Sequence, residues 1–169
     1  MTQLPRPGLS LAGFALAHAA WSISENEDGE QLSPLAVVET HEGERRLMRF
    51  EADTQEEVIA AAKVAMRDAT RDAAAWAFAR EAAWRRMGSE LPGDVLAIDF
   101  WAAGMPAAAT IMQHFNRATN GGRFRIGGVP SLVVSGTQLS PDVASASITA
   151  IMAGVHAHAA VAELWPTWQ

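Results

Sequence analysis

Cysteine is absent from this chain of 169 residues. Its absence excludes disulfides, thiolate metal sites and cysteine nucleophiles, and it permits a reducing compartment. We therefore expect a cytoplasmic protein that is stabilised by packing. The chain also lacks an uninterrupted apolar run of about 18 residues, which predicts that it has no membrane-spanning segment.

The spacing signatures of known reaction centres are absent as well. No G-x-S-x-G occurs, and neither does the dinucleotide-binding glycine pattern. The segment 122–129 has the outer glycines of a P-loop without its lysine and hydroxyl. His156 and His158 are two positions apart, so on a helix they diverge by about 200° and cannot bind one ion. We expect no metal and no cofactor.

Residues 9–20 form an apolar segment that is superficially similar to the core of a secretory signal. Only Arg6 supplies a basic flank, and Pro5 and Pro7 interrupt that flank. We therefore expect the segment to be retained as part of the fold. Export is the alternative, if residues 1–20 act as a signal.

The clearest local pattern lies between residues 35 and 69. Two strand-like segments, 34–40 and 45–50, flank a polar turn and predict a hairpin. Thr54 and Glu57 then have the spacing of a capping box, which predicts a helix that runs to about residue 69. The remaining predicted elements are a helix at about 10–22 capped by Ser10, strands within 73–134 with a break at Gly127 and Gly128, and a helix at 141–164 capped by Ser140.

Strands joined by short turns, with few helices between them, favour an α+β fold. We predict a single domain spanning residues 1–169. Its mainly antiparallel sheet has four to six strands, with the helices packed on one face.

Charge is distributed unevenly along the chain. Residues 25–57 carry a net charge of -8, residues 58–169 carry +1, and Arg6 adds +1 to give the total of -6. This balance argues against nucleic acid as a ligand. The acidic segment is either a solvated surface or a surface for a basic partner protein. The candidate binding residues in the hairpin are Glu39, Glu42 and Glu44.

Two tryptophans, Trp165 and Trp168, lie in a C-terminal tail that Pro166 interrupts. An exposed tail of this kind would present an apolar patch. It therefore folds back onto its own domain or docks on another subunit of a homo-oligomer.

Several polar residues interrupt the apolar strands, and polar groups in half-buried strands cost free energy unless they are paired. The structural interpretation is that they face solvent or pair, as Arg80 could with Asp99. The catalytic interpretation places His114 as an acid or base beside Asp99 or Glu81, which requires a favourable strand register.

Because no catalytic spacing occurs, the sequence favours a non-catalytic binding module, such as an inhibitor or immunity protein. The alternative is a hydrolase or lyase without a cofactor.

Overall fold

A computed structural model describes residues 3–26, 29–85, 88–118 and 122–169 of the chain. The elements in chain order are α1 (Arg6–Ser24), β1 (Leu35–Glu39), β2 (Arg45–Arg49), α2 (Gln55–Ala69), β3 (Ala75–Trp84), β4 (Gly93–Ala102), β5 (Ala109–Asn116), β6 (Arg125–Val134), β7 (Thr137–Gln138), α3 (Pro141–His156) and α4 (Trp165–Trp168). The combination of helices with one antiparallel sheet confirms the predicted α+β class. No helix in these ranges is long and apolar enough to cross a bilayer.

All the described strands join one antiparallel sheet in the order β2-β1-β3-β4-β5-β6-β7. The predicted hairpin is confirmed, with Glu39 opposite Arg45 and Leu35 opposite Arg49. The sheet has seven strands, so the prediction of four to six is wrong. The count rises because β7 adds a two-residue strand at one edge, too short for a periodic pattern to reveal.

The two faces of the sheet carry separate apolar clusters, because successive residues of a strand point to opposite sides. We call the face covered by α1 and α3 the α1 face, and the face partly covered by α2 the α2 face. The prediction that the helices share one face is therefore wrong for α2. The α1-face cluster includes Leu35, Val37, Ala77, Ile98 and Phe100, and the α2-face cluster includes Ala36, Trp76, Phe78, Ala62 and Met66.

Helix α1 lies between the sheet and α3, and it is buried along most of its length. It begins at Arg6, earlier than predicted, because Pro5 supplies the extended N-cap and Pro7 fits the first turn. Ser10 therefore lies inside the helix and does not cap it. The apolar segment predicted to be retained is part of this core helix.

Glycines let α1 and α3 touch through their backbones. A Cβ placed on Gly13 would lie 1.9 Å from the carbonyl oxygen of Ile151, and one on Gly154 would lie 1.9 Å from the carbonyl oxygen of Ser10. Gly13 and Gly154 thus bring the two helices closer together than any larger side chain would allow.

Helix α2 begins as predicted, with the capping box of Thr54 and Glu57 fully formed. Helix α3 also begins at the predicted Pro141, although the Ser140 side chain makes no capping hydrogen bond. It ends at His156 and not near residue 164. Turns then lead to α4, whose Trp165 and Trp168 are buried in the α1-face cluster. The tail therefore folds back onto its own chain.

The predicted break at Gly127 and Gly128 is a bulge within a continuous strand. Met112 pairs with Ser131 and His114 pairs with Gly127, so three β6 residues oppose Gln113 alone. Gly128 has a φ of 71°, a backbone conformation that suits glycine.

Candidate functional site

The α2 face brings together two of the residues predicted from sequence, Arg80 and Asp99. The Arg80 guanidinium donates to one carboxylate oxygen of Asp99 at 2.9 Å, and the Thr110 hydroxyl donates to the other at 2.6 Å. The three residues lie on neighbouring strands, since Asp99 pairs with Thr110 across β4 and β5. Both oxygens of Asp99 therefore have a partner, as the structural interpretation of this pair expected.

His114 lies on the same face as Asp99 but not beside it. It pairs with Val95, four residues along β4 from Asp99, which corresponds to a separation of about 13 Å along the strand. Its ring also lies against Gly93, further from Asp99, where an added Cβ would be 3.1 Å from Nδ1. The register therefore does not place these two side chains within hydrogen-bond reach.

Glu81 belongs to the opposite, α1 side of the sheet, because it alternates with Arg80 along β3. Its carboxylate accepts hydrogen bonds from the backbone amide of Leu32, at 2.7 Å, and from the Arg117 guanidinium. These contacts tie the segment before β1 and the segment after β5 to β3. Glu81 and His114 are thus on different faces.

Gln113 is fully buried on the α1 face and supports the β6 bulge. Its amide nitrogen lies 3.1–3.2 Å from the carbonyl oxygens of His114, Gly127 and Gly128. One side chain therefore links β5 to the backbone of the bulge, where the strand ladder is locally interrupted. Its role is structural.

The acidic hairpin residues have different surroundings. Glu39 accepts a hydrogen bond from the Arg45 side chain at 2.8 Å, within an ion pair that crosses the hairpin. Glu42 and Glu44 are exposed at the turn. Because residues 35–50 contain three acids and three arginines, the hairpin itself is neutral.

The acidic excess lies instead at the open end of the hairpin, opposite its turn. The Phe50 amide donates to the Pro34 carbonyl, so the segments before β1 and after β2 leave the sheet side by side. The predicted acidic segment also includes Glu27 and Asp28, which lie outside the described residues. We call the following exposed residues the acidic end: Glu25, Glu30, Glu51, Asp53, Glu56 and Glu57.

A cleft of about 410 Å³ opens at the acidic end. Its wall includes Trp21 of α1 together with Glu25 and Glu30. Arg49 also lines it, and its guanidinium donates to the Ser33 carbonyl at 3.3 Å and to the Ser22 hydroxyl at 3.5 Å. The cleft therefore combines an aromatic ring with two exposed carboxylates and one arginine.

A pair of histidines beside this cleft was not predicted from sequence. His18 of α1 and His158, which follows α3, are 140 positions apart, and Nδ1 of His18 lies 3.0 Å from Nε2 of His158. Phe14 and Trp21 pack against the buried His158 ring. No local spacing could have revealed a pair whose members are brought together only by the packing of α1.

Burial lowers the pKa of both histidines below the ordinary value of 6.5. For His18, repulsion from His158 and Arg49 lowers the pKa further. For His158, a backbone hydrogen bond partly offsets the effect of burial. At neutral pH both rings are therefore uncharged, and one ring donates the shared hydrogen bond to the other. Within the described residues, no three histidines, aspartates or glutamates are grouped so that they could hold a metal ion.

Comparison with known proteins adds no functional assignment, since no protein-family model, curated protein or solved structure matches this chain.

Proposed function

We propose that this protein is a non-catalytic binding module that recognises a basic partner protein through its acidic end. The proposal is supported by how the structure sorts charged side chains. Those within the sheet, such as Asp99 and Glu81, are held by internal partners. The carboxylates of the acidic end face solvent, with no ion-pair partner among the described residues.

The observation that carries the proposal is that two of these exposed carboxylates, Glu25 and Glu30, line the cleft together with Trp21. Opposite charges raise the rate of encounter and select a partner of complementary charge. An arginine or lysine side chain of the partner can enter the cleft and stack on Trp21, where a cation–π contact adds to its attraction to Glu25 and Glu30. An inhibitor that masks a basic protein would act in this way.

The enzymatic alternative rests on His114 acting with Asp99 or Glu81. The strand register separates His114 from Asp99, and strand alternation puts Glu81 on the other face. The alternative therefore lacks the approach of His114 to either acid on which it depends.

Two variants test the proposal, and each removes three negative charges. The acidic-end variant replaces Glu25, Glu30 and Glu51 by glutamine. The control variant replaces Glu42, Glu44 and Glu163, which are also exposed, by glutamine. Each is used with the wild type to capture proteins from an extract of the source cells, and bound proteins are identified by mass spectrometry.

We expect the wild type and the control variant to retain the same basic protein and the acidic-end variant to lose it. If only the control variant failed to capture the basic protein, the binding surface would lie at the hairpin turn instead. Identical capture by all three proteins would contradict recognition by charge.

A further inference from the structure

A second cavity, of about 180 Å³ and open to solvent, lies between α2 and the sheet. Its floor is apolar and buried, and it consists of Trp76 and Phe78 of β3 with Ala62 and Met66 of α2. The small Ala62 side chain lies among these larger residues, which leaves room between helix and sheet. The cavity lies away from the cleft at the acidic end, and none of its lining residues is shared with that cleft.

The polar residues of the cavity give it an unbalanced charge. Asp99 lines one side, but its carboxylate is already engaged by Arg80 and Thr110. Lys63 and Arg67 line the cavity from α2, and neither has an ion-pair partner among the described residues. Two cations four positions apart on a helix repel each other. The wall of the cavity on α2 is therefore locally positive, in a protein of net charge -6.

The volume shows what the cavity has room for. A closed apolar cavity of about 150 Å³ accommodates benzene, so the floor of this open cavity has room for a single ring or a branched chain of similar size. The ligand therefore needs a small apolar body for Trp76 and Phe78, and one negative group for Lys63 and Arg67. We propose that the cavity binds a small amphipathic carboxylate, independently of the basic partner.

Three molecules of nearly equal shape serve as probes: 3-phenylpropionate, 3-phenylpropanol and 3-phenylpropylamine. They differ in the charge of the terminal group, so their relative affinities separate anion recognition from simple filling of an apolar gap. Binding is followed by titration calorimetry and by the reactivity of Lys63 toward an acylating reagent. Lys63 is the only lysine of the chain, so its acylated peptide reports on this site alone.

We expect saturable binding of 3-phenylpropionate, protection of Lys63, and affinities for the alcohol and the amine that are lower by a factor of about 2 to 30, because two exposed cations each contribute a modest ion pair. The double variant Lys63→Gln and Arg67→Gln changes exposed side chains, so it is expected to fold, and it should weaken binding of the carboxylate by a similar factor. Arg71→Gln, which removes an exposed cation just beyond α2, is the control and should bind like the wild type.

Equal affinity for all three probes, or an unchanged affinity in the double variant, would overturn the proposed carboxylate site. So would the absence of saturable binding by 3-phenylpropionate to the wild type. None of these outcomes bears on the acidic end.

Discussion

Replacement of Gly154 by alanine is expected to force α1 and α3 apart. The added Cβ would lie 1.9 Å from the Ser10 carbonyl oxygen, whereas real Cβ contacts are essentially never shorter than 3.0 Å. The neighbour is a backbone atom within a helix, so no side-chain rotation relieves the contact. The two helices must separate by roughly 1 Å, in an interior whose packing leaves little free volume.

Two opposing effects set the magnitude. Alanine is favoured over glycine inside a helix by about 0.8–1 kcal/mol, so an unhindered substitution would stabilise the protein. Overpacking a core costs about 1–3 kcal/mol and sometimes more. Here the contact joins two helix backbones, so whole helices must move to relieve it. We expect the free energy of unfolding to fall by about 2 kcal/mol, which lowers Tm by about 4–8 °C in a domain of this size.

Urea denaturation followed by far-ultraviolet circular dichroism measures this change. Ser145→Ala, at an exposed position of the same helix, is the control and should leave the midpoint nearly unchanged. Gly13→Ala should destabilise the protein in the same way, from the other side of the contact. If Gly154→Ala were as stable as the wild type or more so, the backbone contact between α1 and α3 would be refuted.

Three further predictions concern the histidine pair, the bulge and the tail. Because burial lowers the pKa of His18 and His158, the unfolded chain binds protons at a higher pH than the folded chain. The free energy of unfolding should therefore fall as the pH is lowered below about 6.5, and His158→Ala should flatten this dependence in urea titrations at several pH values. Gln113→Ala should cost about 1–3 kcal/mol by chemical denaturation, because it removes a fully buried amide and its hydrogen bonds to the backbone of the bulge, and an unchanged midpoint would contradict that role. Trp165→Ala should cost about 3–5 kcal/mol in the same assay if the tail belongs to the core, whereas an unchanged midpoint would show that it does not.

Sequence predicts this fold best where a short segment contains its own geometric constraints. The hairpin and the capping box of Thr54 and Glu57 need only residues within a few positions of each other, and both form as predicted. The strands β3 to β5 are also predicted, because their alternation follows the two faces of one sheet. The prediction of a break at Gly127 and Gly128 is wrong, because a glycine pair is typical both of a break in a strand and of a bulge. The choice depends on Gln113, which lies on another strand.

The candidate site is less predictable because it depends on contacts between distant segments. Strand β1 is apolar on both sides, so nothing local decides which face α2 covers. The register that separates His114 from Asp99 is likewise fixed by the whole sheet. The pairing of Arg80 with Asp99 was predictable as a compensated pair. The pairing of His18 with His158 was not, since it requires the position of α1.

The role of the acidic end is tested most directly by the rate at which the purified partner associates with the wild type and with the acidic-end variant, measured at low and at high salt. We expect the variant to associate at least about tenfold more slowly at low salt, and we expect this difference to shrink as salt screens the carboxylates. Equal association rates at low salt, or a difference that salt leaves unchanged, would contradict recognition of a basic partner at this end of the molecule.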